Sequence, residues 1–197
     1  MTLFLPRQLI LASTSVYRRR LLERLRVPFD VIASDVDEGA LPHESPESLA
    51  RRLALAKAQA VAAQHPESVV IGSDQVADIN GQALGKPGTH ARAVAQLQRM
   101  RGQTVVFQTA VAVVCQATGF AQTELAPVKV LFRDLTDAQI EAYLMSEKPY
   151  DCAGSAKSEG LGIALLARID NDDPTALVGL PLIRTCRLLE AAGLKVL

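Results

Sequence analysis

The dipeptide Asn80-Gly81 stands between two apolar β runs, Val76–Ile79 and Ala83–Leu84, and predicts a two-residue hairpin. A hairpin makes its two strands antiparallel. The rest of the chain alternates strand-like runs with helical stripes, the pattern of α/β units with parallel strands. A chain that contains both needs a mixed sheet. The predicted fold is therefore α/β, a mixed twisted sheet flanked by helices, with two lobes and a central cleft. A length of 197 residues predicts a single domain over residues 1–197.

Leu9–Leu11 read as a buried strand that leads into Ser13-Thr14-Ser15 and then a helix with Leu21, Leu22 and Leu25 on one stripe. Phe29–Ala33 read as a second strand, followed by an acidic loop. Ser45-Pro46-Glu47 is a helix start, and Leu49, Leu53, Ala56, Ala60 and Ala63 mark one face of that helix up to His65-Pro66. Val69–Ile71 is a strand that runs into Gly72-Ser73-Asp74-Gln75. Beyond the hairpin come a helix from Thr89 to Met100 and strands at Thr104–Cys115 and Val128–Phe132, joined through Thr118-Gly119. Thr136 with Gln139 forms a capping box that opens another helix. A Gly-rich loop, a strand at Ile163–Ile169 and a helix over Leu180–Ala192 complete the chain.

Composition excludes several classes. Hydrophobic residues make up 49% and charged residues 21%, which is the mix of a globule and not of a disordered chain. Lys+Arg and Asp+Glu number 21 each, and the chain has no Trp. That argues against a nucleic-acid or anionic-membrane partner, which calls for a basic excess or stacking surfaces. A small anionic ligand needs only local positive charge. No stretch is long and apolar enough to span a bilayer. The opening MTLFLPRQLILASTS is broken by Pro6 and Arg7, and its arginines follow the apolar part, unlike a secretory leader. Cys115, Cys152 and Cys186 are widely spaced with no CxxC pair, so a reducing compartment, the cytoplasm, is expected.

Six places could carry chemistry. The backbone N–H groups of a helix start bind anions, whereas cations in a first turn are disfavoured by the helix dipole. Arg18, Arg19 and Arg20 behind Ser13 and Ser15 are therefore either a solvated face or companions of a bound phosphate. Helical spacing turns Arg18 inward and leaves the other two for water. Lys57, one turn after Leu53, either snorkels or reaches into a cleft. Glu38, in the acidic loop, is either solvated or a ligand for a hard divalent cation. Asp74, read at the carboxyl end of a strand, is a turn cap, a metal ligand or a base for water. At such a position it would contribute little to the core. Lys86, in Gly85-Lys86-Pro87, is an exposed loop amine or a phosphate contact. The small residues of Ala153–Gly162 permit close approach to a ligand or make a plain loop. No Walker loop, GxGxxG, Gly-x-Ser-x-Gly or HExxH is present, and His43, His65 and His90 are scattered, which speaks against zinc or serine hydrolases.

The segments LILASTSVYRRRLL, VDE, LALAKA, IGSDQVA, LGKP, YDCAGSAKSEGLG and LVGLPL, in this order, resemble the Maf family of nucleotide pyrophosphatases over nearly the whole chain. The resemblance implies hydrolysis of nucleoside triphosphates to the monophosphate and pyrophosphate, with a divalent metal cation such as Mg or Mn. By resemblance, Ser13, Ser15 and Arg18 bind phosphate, and Glu38, Lys57, Asp74 and Lys86 surround the triphosphate, with Asp74 as proton acceptor. The metal would fall to Glu38 and Asp74. Asp74 cannot hold metal and proton on one lone pair, so its two oxygens divide the work or one role is wrong. Val16 replaces a frequent Pro, which removes no chemical group. Tyr17, Gln75 and Glu159 resemble the branch that acts on 7-methyl-GTP, with Tyr17 where Trp is common. The physics agrees, because an aromatic face and a carboxylate favour a cationic purine. The alternatives are the same reaction on other modified or canonical nucleotides, and a non-catalytic nucleotide-binding regulator. The expected partner is a small nucleotide, and a homodimer would be the commonest assembly.

Overall fold

The computed structural model describes residues 7–197. The opening stretch before Arg7, with its broken apolar run, lies outside the described residues. The elements in chain order are β1 (Leu9–Leu11), α1 (Val16–Glu23), β2 (Asp30–Val31), α2 (Pro46–Ala62), β3 (Val69–Ile79), β4 (Gln82–Leu84), α3 (His90–Met100), β5 (Thr104–Cys115), β6 (Phe120–Phe132), α4 (Asp137–Glu147), β7 (Leu166–Asp170) and α5 (Leu182–Ala191). They form one sheet in the order β2-β1-β3-β5-β6-β7, with β4 also paired to β3. β1 pairs parallel with β2 and β3, and all other pairs are antiparallel, so the sheet is mixed as expected. Asn80 and Gly81 both have positive φ, the requirement of the hairpin predicted there.

The long strands alternate faces with period two. Ile10, Val70, Ala110 and Ala112 pack under α2 with Leu53, Ala54, Ala58 and Val61. Leu9, Leu11, Val69, Ile71, Val111 and Val113 pack on the opposite face with Leu21, Leu22, Leu188 and Leu189 of α1 and α5. At the other end of the same strands, Ala77, Ile79, Phe107 and Val128 meet Leu97 and Met100 of α3 and Ile140 and Leu144 of α4. β3, β5 and β6 thus run from one lobe into the other. Along β3, β1 pairs only with Val69–Ile71, and β4 only with Ala77–Ile79. Residues 72–76 of β3 are left with an open edge between them, and the cleft lies there.

Several elements differ from expectation. Gly72-Ser73-Asp74-Gln75 is not a turn; β3 passes straight through it, because β5 pairs with every residue from Val70 to Asp78. Asp74 is therefore a mid-strand residue. The second strand shrinks to Asp30–Val31, both exposed. α1 stops at Glu23, and Leu25 packs from beyond its end. On α2 the buried stripe is Leu49, Leu53 and Lys57 with Ala50, Ala54, Ala58, Val61 and Ala62, while Ala63 is exposed. β6 begins at Phe120, its polar first half held by pairing to β5.

Candidate active site

Ser45 caps α2 by accepting from the Ser48 N–H, with Pro46 in the first turn, and this start sets the helix phase. The phase puts Lys57 in the buried stripe, 6% exposed, pointing at β3. Its Nζ donates to Asp74 Oδ1 at 2.7 Å and lies 2.6 Å from Glu38 Oε1. Lys57 therefore reaches into the cleft and does not snorkel. An ammonium buried without anions would be costly, and two carboxylates offset that cost here. The hydrogen bond from Lys57 holds the Glu38 carboxyl below its ordinary pKa, and Lys86 and Arg18 add to the effect. Lys86 is exposed on the cleft rim.

Glu38 is on an irregular loop that Arg52 of α2 fastens down. Arg52 donates to both carboxylate oxygens of Glu44, at 2.6 and 2.8 Å, and to the Gly39 carbonyl at 2.8 Å. This bidentate pair is a fastening whose only sequence signal is a charge on the half-buried side of α2.

At the other wall, Ser15 caps α1 and accepts from the Arg18 N–H. Ser13 Oγ accepts from the Ser15 N–H at 3.2 Å and from Arg18 Nη1 at 3.4 Å. No acid stands in the first turn of α1, so its amides face the cleft without a built-in counter-charge. Arg18 turns inward as its spacing predicts, while Arg19 and Arg20 are exposed. Burial lowers the Arg18 pKa, and Asp74 and Glu38 oppose that shift.

The far end of the cleft is lined by Tyr17, Gln75, Asp151, Cys152 and Glu159. No sequence signal sets Asp151 apart from the rest of YDCAGSAKSEGLG. Burial raises the Tyr17 hydroxyl pKa, and burial followed by the Asp151 charge pushes the Cys152 thiol up to about 12. The Lys157 ammonium lies 5.8 Å from the Tyr17 ring centroid and is paired to Glu147 Oε1 at 2.6 Å. The aromatic face therefore already meets a cation, one the sequence did not foretell. Gly160 does not open a path to a ligand, since a Cβ there would lie 2.7 Å from Glu147 Oε2. It serves packing within the loop.

All the residues expected from sequence, Ser13, Ser15, Tyr17, Arg18, Glu38, Lys57, Asp74, Gln75, Lys86 and Glu159, line this one cavity of about 540 Å³. Among the described residues, no group of three or more His, Cys, Asp or Glu is arranged to hold a metal ion. Glu38 and Asp74 supply two hard carboxylates that meet at one ammonium. That set fits a magnesium-like cation, which takes one or two protein carboxylates and completes its shell with water and substrate phosphate.

A mixed α/β sheet, opened along one strand into a cleft of cations, paired carboxylates and a helix start, defines a protein equipped for a polyanionic ligand. Within that class the chain belongs to the Maf-like protein family, whose model matches residues 8–192. It is 73% identical over 193 residues to the 7-methyl-GTP pyrophosphatase of Albidiferax ferrireducens, covering 98% of this chain and 97% of that protein. It is 72% identical to the protein of the same description in Polaromonas sp., over 95% of this chain and 85% of the relative. A third relative of that description, from Aromatoleum aromaticum, is 59% identical, over 95% and 96%. No helix of the described residues is long and apolar enough to cross a membrane.

Proposed function

We propose that the chain hydrolyses 7-methyl-GTP to 7-methyl-GMP and pyrophosphate. The observation that carries this reading is the division of charge along the cleft. Lys57, Lys86 and Arg18 act together on Glu38 and outnumber the carboxylates of Glu38 and Asp74 beside them, whereas Asp151 and Glu159 act on Tyr17. A triphosphate joined to a cationic base has the complementary pattern. Lys157 at the base end is already neutralised by Glu147, and its place on Tyr17 supports that ring as a surface for a cation.

In this reading, water attacks the α-phosphorus and the bond to the α–β bridging oxygen breaks, so that pyrophosphate leaves. Asp74 takes the proton of the attacking water. Its Oδ1 accepts from Lys57, which leaves Oδ2 for the proton. Arg18, Lys57 and Lys86 offset the charge of the triphosphate and of the transition state. Glu38, with the Asp74 oxygen that does not take the proton, would hold a divalent cation, which when bound neutralises phosphate oxygens and the leaving group. The three unpaired cysteines support a reducing compartment such as the cytoplasm.

The test is pyrophosphate release from 7-methyl-GTP, GTP, UTP and ATP with Mg or Mn. The expected result is fastest turnover, by kcat/KM, of 7-methyl-GTP. Turnover only of the other nucleotides would move the substrate, and no turnover of any would favour a nucleotide-binding regulator.

A further inference from the structure

The segment LVGLPL carries no assigned chemistry, yet its backbone meets both ends of the cleft. Residues Ala176–Val178 form a single 3₁₀ turn that ends at Gly179, with φ of +117°. Three carbonyls of the turn and its cap accept from residues that line the site. Ala176 O accepts from Gln75 Nε2 at 3.1 Å and from Thr109 Oγ at 3.0 Å. Leu177 O accepts from Gln75 Nε2 at 3.0 Å. Gly179 O accepts from Arg18 Nε and Ser73 Oγ, both at 2.9 Å. Only glycine adopts that φ without strain. Asp173, fully buried, anchors the turn from behind by accepting from the Arg184 N–H of α5 at 3.1 Å and from Thr175 Oγ at 3.2 Å.

These carbonyls decide what the cleft residues can offer. Arg18 engages Nε on Gly179 and Nη1 on Ser13, so Nη2 remains for the ligand. For Gln75 the constraint is stricter. Ala176 O and Leu177 O can only accept, and the Thr109 hydroxyl gives its proton to Ala176 O and so accepts from Gln75 at 2.9 Å. Three acceptors around one terminal atom require that atom to be the NH₂. The other atom, Oε1, has no protein partner among the described residues, and Gln75 is a wall of the cleft.

We propose that the Ala176–Gly179 turn, with Thr109, is a positioning element that locks Gln75 so that it shows the cleft an acceptor alone. Resting on the 7-methyl-GTP reading, Gln75 then selects a base with a donor edge, such as the N1–H and amino group of guanine. It refuses one that presents an acceptor there, such as adenine N1, since two acceptors would face each other unpaired.

Gln75→Glu tests the lock, because it places a carboxylate oxygen against three acceptors. At about pH 8 we expect kcat/KM to fall by about tenfold or more, with partial recovery as the pH is lowered. A carboxyl facing acceptors has a raised pKa, and its protonated form donates to Ala176 O again. If the amide instead showed its NH₂ to the cleft, Gln75→Glu would direct the new charge at the base. Undiminished kcat/KM at about pH 8 overturns the proposal. This arm uses whichever nucleoside triphosphate the wild type turns over, so it is read independently of the substrate assignment. A second arm covers a Gln75→Glu chain that fails to fold. Thr109→Val should lower the 7-methyl-GTP to ATP ratio of kcat/KM by about fivefold, while Thr109→Ser, which keeps the hydroxyl, should hold it. An unchanged ratio in Thr109→Val, or equal losses in both variants, overturns the lock. A wild type that prefers ATP would overturn the base reading alone.

Discussion

Asp74 and Lys57 are each nearly sealed from water, and their side chains meet at 2.7 Å. Asp74→Asn keeps the shape but removes the proposed base and the charge facing Lys57. We expect kcat to fall by about 10²-fold or more, as for loss of a general base. A mid-strand site also carries a stability cost that a strand-end turn would not, since Lys57 keeps only Glu38 as counter-ion; about 1–3 kcal/mol is expected by urea unfolding. Near-normal turnover would remove Asp74 from the reaction. At the base end, Tyr17→Arg with Glu159→Gln replaces a π face and a carboxylate by a cation and an amide. The 7-methyl-GTP to UTP ratio of kcat/KM should drop about tenfold or more, given about 0.5–2 kcal/mol for the ring and about 1.5–3 kcal/mol for charge-assisted hydrogen bonds. An unchanged ratio in the folded double variant would place base recognition elsewhere.

The acidic loop before α2 has no helix or strand of its own over residues 33–44. Arg52 ties it to α2 through Glu44 and the Gly39 carbonyl, and Glu38 is the next residue back from Gly39. The Arg52 hydrogen bonds, joined by the Leu41 N–H, pull the Glu44 carboxyl down to about 2. A carboxyl whose pKa is lowered by folding contributes stability above its unfolded pKa, and that contribution is lost as the pH falls through the folded pKa. Wild type should therefore be more stable than Glu44→Gln near pH 7, and the gap should close between pH 4.5 and about 2. Urea unfolding at several pH values measures it, and a gap independent of pH would mean that Glu44 acts through packing. Glu44→Gln should also slow turnover, because the loop that presents Glu38 to Lys57 loosens.

Across the molecule, the proposed reaction site and the stability of the fold converge where α2 crosses β3. A Cβ at Gly72 would overlap the Ala54 carbonyl and come within 2.7 Å of Ala58 N, so only glycine lets the helix lie this close. Gly72 and Asp74 face α2 together, two residues apart on one face of the strand. Gly72→Ala should push α2 outward, destabilise the fold by about 1–3 kcal/mol as overpacking does, and part Lys57 from Asp74. We expect stability and turnover to fall together. A variant that loses stability but keeps full kcat would show that the Lys57–Asp74 contact tolerates displacement of the helix.

Local signals in the chain were enough for much of this architecture. Ser45 and Thr136 cap their helices, Asn80-Gly81 turns the hairpin, and the inward phase of Arg18 follows from leucines three and four residues away. Each of these depends on neighbours a few residues off, where dihedral preference and periodicity act directly. The tertiary structure decided the rest. Gly72-Ser73-Asp74-Gln75 looks like a turn, but strand β5, more than thirty residues on, pairs with it and draws it straight. Lys57 could have snorkelled, until a loop and a strand brought two carboxylates to its ammonium. Lys157 over Tyr17 and the carbonyls of Ala176 and Leu177 on Gln75 join residues 140 and about 100 positions apart. A buried polar atom must find its partner wherever the fold supplies one, and no local preference encodes which distant segment that will be.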